Sequence, residues 1–238
     1  MTTLPTWKAN ARNRWKKRGV AVPPSKGNVG FLFSDELNRG VAQVCVYKDA
    51  TCYVSHSGVE TGQGIATRMA QVAAEMLDVP IASIRVGGTS TRAAIDTPPT
   101  TMVGADLCGA GVRDAPQIVL KRMAPEREAL GGVQAPLADV VRRCYLDGID
   151  MRAFAVANEM RPEYDWRKPA GNVDTFFVWR AAVSMVELDV PTGGVRTLQT
   201  EIVQDCGYAL NPELDVGQVE GAFLMGVGYY MPEAPIWS

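Results

Sequence analysis

Ser55-His56-Ser57-Gly58-Val59-Glu60-Thr61-Gly62-Gln63-Gly64 joins two stretches of different hydrophobic period, and that change decides the fold. Before it, Val41 to Tyr47 is Val-rich and alternates, Lys48-Asp49-Ala50 reads as a turn, and Thr51 to His56 reads as the returning strand. After it, Ile65, Met69, Val72, Ala73, Met76 and Leu77 fall on one face of a helix, which Asp78-Val79-Pro80 ends. The expected unit is a hairpin, a glycine-rich loop and a helix.

Working outward, Ile84 to Val86 is a short strand candidate, and 88–101 is a loop crowded with hydroxyls and lacking periodicity. A small-residue helix is expected from Val103 to Met123, provided that close packing requires Gly104, Gly109 and Gly111. Leu137 to Leu146 reads as a helix, Arg152 to Ala157 as a strand, and Arg161 to Asn172 as a polar loop. Phe177 to Leu188 alternates again, Asp189-Val190-Pro191-Thr192-Gly193-Gly194 is a hairpin turn, and Val195 to Val203 returns. After a loop from Asp205 to Asp215, a glycine-rich apolar helix is expected from Val216 to about Tyr230. The chain thus twice gives a hairpin, a loop and a Gly-Gln pair entering a helix, at Gly62-Gln63 and Gly217-Gln218. Residues 1–28, with a basic cluster from Arg12 to Arg18 and Pro23-Pro24, read as an extended lead-in. The expected fold class is α+β, with mixed sheets of hairpins, each hairpin followed by a helix that a Gly-Gln pair starts.

Composition narrows the function. The 238 residues carry 24 Lys+Arg against 26 Asp+Glu, a net charge of −2, which argues against a dedicated nucleic-acid binder. Hydrophobic residues make up 47% and charged residues 21%, the balance of an ordinary globular chain rather than a disordered one. No apolar run reaches the ~18–20 residues of a membrane span. The N-terminus has no secretory signal pattern. The five cysteines are scattered without Cys-x-x-Cys spacing, which favours free thiols in a reducing, cytoplasmic compartment. With His56 as the sole histidine, a His-based metal site and a Ser-His-Asp triad have no support, and no metal ligand is assigned.

A helix N-terminus offers unpaired N–H groups and partial positive charge, glycine admits a ligand to the backbone, and glutamine adds neutral donors and an acceptor. The two Gly-Gln helix starts would therefore suit an anionic or amide-edged ligand. Each signal also has a plainer explanation. Gly-Gln-Gly serves as a turn and cap, a hydroxyl-rich loop as a solvated connection, and His56 as a structural residue at a strand end. Neither a P-loop nor a Gly-x-Gly-x-x-Gly after a strand is present.

Several segments resemble the xanthine dehydrogenase and aldehyde oxidase family, the molybdenum hydroxylases. Ser55 to Gly64 is similar to that family's His-Gly-Gly-x-Glu-x-Gly-Gln-Gly loop, and Thr67-Arg68-Met69-Ala70-Gln71-Val72-Ala73 to the helix after it. Thr89-Ser90-Thr91, Asp96-Thr97-Pro98-Pro99-Thr100 and Gly104-Ala105-Asp106-Leu107-Cys108-Gly109 follow in family order. So do Asp205-Cys206-Gly207, Leu210-Asn211-Pro212 and Asp215-Val216-Gly217-Gln218-Val219-Glu220-Gly221-Ala222-Phe223. Trp15-Lys16-Lys17-Arg18-Gly19 is similar to the family's entry into this region, and the likeness runs to Pro232.

The resemblance implies part of a domain that binds a molybdenum–pyranopterin cofactor, with iron–sulfur clusters and FAD only in the full-length family context. It implies hydroxylation of a purine, another N-heterocycle or an aldehyde. By motif, Gln63, with Gly62 and Gly64, would contact the molybdenum ligands or the pterin, and Gln218 the pterin side. Thr100, Thr101, Met102, Val103 and Gly104 would wrap the pterin and its phosphate, although the family's loop is a residue longer. Phe31 or Phe33 would stack on substrate. On this basis 29–123 is the first cofactor-binding half, 124–175 a connector, and 176–238 a second, truncated hairpin–helix unit. The family's general base is a glutamate in a Gly-Glu-Pro-Pro motif that this sequence lacks, so no catalytic residue is assigned and the chain is not expected to turn over alone. The resemblance leaves room for a partner subunit or a homodimer, and the alternative is a non-catalytic remnant or a subunit of a split enzyme that acts by association.

Overall fold

The computed structural model describes residues 6–29, 35–88, 90, 103–157 and 163–237. The elements in chain order are α1 (Thr6–Arg12), β1 (Lys16–Ala21), β2 (Pro24–Val29), β3 (Gly40–Val46), β4 (Cys52–His56), α2 (Ile65–Leu77), β5 (Ile84–Val86), α3 (Gly104–Ala129) and α4 (Leu137–Leu146). There follow β6 (Arg152–Ala157), β7 (Tyr164–Asp165), β8 (Ala170–Gly171), β9 (Phe176–Asp189), β10 (Val195–Asp205) and α5 (Pro212–Tyr230). The fold is α+β. The chain divides into two compact units, residues 1–28 with 176–209, and residues 29–175 with 210–238.

The first unit is built on β9, which pairs antiparallel with β10 and β1, while β2 also pairs with β9. The lead-in is therefore a short helix and two strands rather than one extended segment. Its basic residues have an acidic partner: Glu187 lies opposite Arg18 on the ladder, and Arg18 Nε donates to its carboxylate at 3.0 Å. Asn10 of α1 brackets Arg18, accepting from its N–H at 2.6 Å and donating to its carbonyl at 2.9 Å. Ser184 and Thr200 face each other across β9 and β10, hydroxyl to hydroxyl at 3.1 Å. Such cross-strand pairs hold a sheet whose described residues include no fully buried side chain.

The second unit has the core. Its sheet runs β5-β4-β3-β6, antiparallel except for β4 with β5. Val44, Val54, Ile65, Met69, Leu77, Val112, Val119, Met123 and Val140 are buried between sheet and helices. On α2 the buried positions are Ile65, Met69, Ala73 and Leu77, one stripe at helical spacing. The helix ends because Asp78 takes φ 55°, its N–H returning to Ala74 and Glu75, and Pro80 follows. α3 runs on to Ala129, past the expected end. Gly111 is there for packing: a Cβ on it would lie 3.1 Å from the Ala42 nitrogen of β3. Gly40 answers from the strand, where a Cβ would collide with the Leu107 carbonyl.

The start of α5 departs from the sequence reading. It begins at Pro212, not Val216. Asn211 caps it, accepting from the Leu214 N–H at 3.1 Å, and proline occupies the first turn, where no donor is needed. Gly217-Gln218 therefore lies inside the helix instead of opening it. The Asn-Pro pair reads as a loop only if its capping role is overlooked.

Candidate functional site

Within the second unit, the loop between β4 and α2 is pinned at its root. Ser57 exchanges hydrogen bonds with Val41: its N–H donates to the Val41 carbonyl at 3.0 Å, and its Oγ accepts from the Val41 N–H at 3.2 Å. Ser57 Oγ also lies 3.5 Å from Cys108 Sγ. His56, 5% exposed, accepts from the Gly58 N–H through Nδ1 at 3.1 Å. Burial pushes the His56 pKa below its ordinary value, outweighing the pull of the nearby Glu60 carboxylate, so His56 is neutral near pH 7. Its place is structural: an acceptor that shapes the loop.

Glu60 was not singled out from sequence, yet it organises this loop. Its Oε1 accepts from the N–H groups of Gly62 at 2.9 Å and Gly64 at 3.0 Å. Burial pushes its carboxyl up, but hydrogen bonds from the amides of Gly62, Gly64, Ala66 and Ile65 together hold it below the ordinary value. The helix start expected to receive an external anion is thus capped by the chain's own carboxylate. Gly62 (φ 103°) and Gly64 (φ 67°) permit the turn.

Gln63 folds its amide onto the same loop. Its Oε1 accepts from the Thr61 N–H at 2.7 Å and hydroxyl at 2.8 Å, and its Nε2 donates to the Val59 carbonyl at 2.9 Å. One Nε2 hydrogen is left over from that set. Gln218 comes to the same place from α5, its Nε2 donating to the Gly62 carbonyl at 3.1 Å. The two glutamines singled out from sequence therefore share one loop. A Cβ on Gly64 would lie 2.6 Å from the Leu214 methyls, so glycine at that position also lets α5 approach α2.

A polar seam completes the arrangement, and its members lie in segments matched by motif, without a role assigned to them from sequence. Arg68 Nη2 donates to Asp215 Oδ1 at 2.7 Å, while its Nε donates to the Gln63 carbonyl at 3.2 Å. Gln71 donates to the Leu210 carbonyl at 3.2 Å and accepts from Asn211 Nδ2 at 3.1 Å. No sequence pattern links residues 147 positions apart. The Asn-Pro-Glu start of α5 was the one available signal.

The remaining predicted residues are placed less tellingly. Val103 is buried at 1% exposure, and Gly104 opens α3 with Ile65 Cδ1 3.8 Å from where its Cβ would stand. Thr100, Thr101, Met102, Phe31 and Phe33 lie outside the described residues. Among the described residues, no cluster of three or more His, Cys, Asp or Glu side chains could hold a metal ion. No described helix is long and apolar enough to cross a membrane. A cleft of about 800 Å³ lies beside the β3–β4 turn, lined by Tyr47, Lys48, Tyr145 and Arg152 among others. None of the predicted site residues among the described ones lines it, and the chemistry-bearing loop is at the opposite end of that hairpin.

Residues 2–238 match the family described as the molybdopterin cofactor-binding domain. The chain is 39% identical over 230 residues to xanthine dehydrogenase of Oryza sativa subsp. japonica, covering 96% of this chain and 17% of that protein. It is 39% identical over 232 residues to aldehyde oxidase 1 of Rattus norvegicus, covering 97% and 17%. The fold is shared with quinoline 2-oxidoreductase of Pseudomonas putida, at TM-score 0.77 and 23% identity, over 98% of this chain and 32% of that one. It is also shared with the aldehyde oxidoreductase of Desulfovibrio desulfuricans, at TM-score 0.75 and 21% identity, over 94% and 24%. The chain thus spans about a sixth of the length of the two relatives. With two glutamines on one glycine loop and a match along nearly its whole length, the chain belongs to the molybdopterin cofactor-binding domain family.

Proposed function

We propose that this chain supplies one wall of the cofactor site in a molybdopterin-dependent oxidoreductase that hydroxylates a purine, another N-heterocycle or an aldehyde. The observation that carries the reading is the hydrogen bond from Gln218 to the Gly62 carbonyl, which sets the two motif segments side by side. The donor set fits a pterin. It is neutral and amide-edged, and a Cβ on Gly62, Gly217 or Gly221 would meet nothing within 4 Å, so a flat group can lie against the backbone there. Gln218 would bind the pterin edge through Oε1 and its remaining Nε2 hydrogen. Gln63 would add its unused donor, and Glu60 keeps the loop that presents it in place. The bound group supplies the two-electron oxidation that sets a water-derived oxygen on the substrate carbon. Thr100, Thr101 and Met102, with the backbone of Val103 and Gly104, would wrap the pterin, and Phe31 or Phe33 would face the substrate. A cytoplasmic location is supported by five unbridged thiols.

The test is expression of the chain in a host that makes the cofactor, followed by assay of bound pterin and molybdenum. The wild type is expected to retain both, and Q63A and Q218A to bind roughly tenfold more weakly. A wild type without pterin, or two variants equal to it, would sink the reading.

Association with a partner subunit or a second copy is favoured by one observation. On α5, Leu224, Met225, Tyr229 and Tyr230 are 65–84% exposed, an apolar surface of the kind that partners cover. A single monomeric species in sedimentation at micromolar concentration, with no co-purifying chain, would count against it.

A further inference from the structure

We propose that Arg68, paired with Asp215, is a positioning residue that fixes the Gln63 loop against the Gln218 helix. The role rests on the cofactor reading above. The pair itself rests on geometry alone.

Arg68 lies in the first turn of α2, and its guanidinium reaches in two directions. Nε donates to the Gln63 carbonyl at 3.2 Å, on the loop, and Nη2 donates to Asp215 Oδ1 at 2.7 Å, on α5. Asp215 stands three residues before Gln218, on the same side of the helix. One planar fork thus ties the backbone of one glutamine to the helical turn that carries the other. Its side chain is 14% exposed and that of Asp215 22%, so water screens the pair less than it would a surface contact. Asp106 is a second carboxylate within reach of the Arg68 charge. Its own burial pushes its carboxyl up, while Arg68 pulls it down. The direct contact, however, goes to Asp215. The neighbouring bonds of Gln71 to Leu210 and Asn211 hold α5 but do not reach the loop, so Arg68 is the charged link between the two beside the direct Gln218–Gly62 bond. Lysine could keep the charge but not the fork, since an ammonium cannot present two fixed, diverging donors.

The experiment uses the wild type with R68M, R68K, D215N and the double variant R68M/D215N. Two quantities are read: hydrogen exchange at the amides of Gly62 to Ile65 in the cofactor-free protein, and the rate of pterin release from the loaded protein. R68M and D215N are each expected to speed both roughly tenfold. The double variant should be little worse than either, because the two side chains act as one unit. R68K should recover only part of the loss. If R68M unfolds, R68K and D215N carry the test, since both preserve side-chain bulk. Unchanged exchange and release in R68M, additive losses in the double variant, or full recovery in R68K would each overturn the proposal. A wild type that holds no pterin, with exchange at Gly62 to Ile65 still dependent on Arg68, would leave the strut standing and defeat the functional reading. The reverse pattern would do the opposite.

Discussion

Replacing Glu60 by alanine, and separately by glutamine, measures how strongly the chain's own carboxylate holds the Gly-Gln-Gly loop. Glu60 Oε1 accepts from the amides of Gly62 and Gly64 at 2.9 and 3.0 Å, at the start of α2. Losing a helix cap costs about 0.5–2 kcal/mol, and losing an anion at that end about 0.3–1 kcal/mol. Glu60 is exposed, so solvent screens the charge contribution and the low end applies to it. E60A is therefore expected to lose about 1.5 kcal/mol. E60Q, whose amide oxygen can still accept both hydrogen bonds, should lose about 0.5 kcal/mol. In a chain of this size these losses correspond to roughly 3–6 °C and 1–2 °C in Tm. The pH dependence has a definite sign. The folded pKa of Glu60 lies below its ordinary 4.5, so its stabilisation is complete above that value and lost as pH falls through the folded pKa. The gap between wild type and E60Q should be open at pH 7 and narrow as pH falls below 4.5. Urea midpoints across that range give the result. E60A as stable as the wild type at pH 7, or a gap from E60Q that stays as wide at low pH, would refute the reasoning.

Two further outcomes follow from other sites. His56 is held neutral by burial, so its contribution is present above its ordinary 6.5 and lost as pH falls toward its lower folded pKa; urea midpoints should drop between pH 7 and 5.5 in the wild type and stay flatter in H56N, and equal slopes would contradict this. G40A should destabilise by about 1–3 kcal/mol, because the added Cβ meets the Leu107 backbone, whereas G217A in α5 meets nothing and should gain about 0.5–1 kcal/mol; thermal unfolding of the pair that failed to show opposite signs would argue against the β3–α3 contact.

Much of the fold was legible because local chemistry wrote it. Alternation marked β3, β4 and β9, the helical stripe of Ile65, Met69, Ala73 and Leu77 marked α2, and α4 fell on Leu137–Leu146 as read. The lead-in strands were not legible, because Lys16, Lys17 and Arg18 have no apolar face to alternate. Their order comes from β9 and the charge of Glu187 across the ladder. The early start of α5 was missed because Asn211-Pro212 carries both a loop signal and a capping signal, and only the Leu214 amide decides between them. The glutamines could be found by motif. Glu60, Arg68 and Asp215 fall in the same motif segments, but what each of them holds becomes visible only once the chain folds.

The sequence by itself determined most of the elements, the α+β class and the family likeness, all properties of residues near one another or of motifs in order. Only the tertiary structure decided that Gln218 meets Gly62, that Glu60 fills the start of α2, and that one guanidinium joins the Gln63 loop to Asp215. Hydrogen bonds hold groups at about 3 Å and take no account of separation along the chain, so contacts between residues 147 or 156 positions apart leave no local trace for periodicity or spacing to reveal.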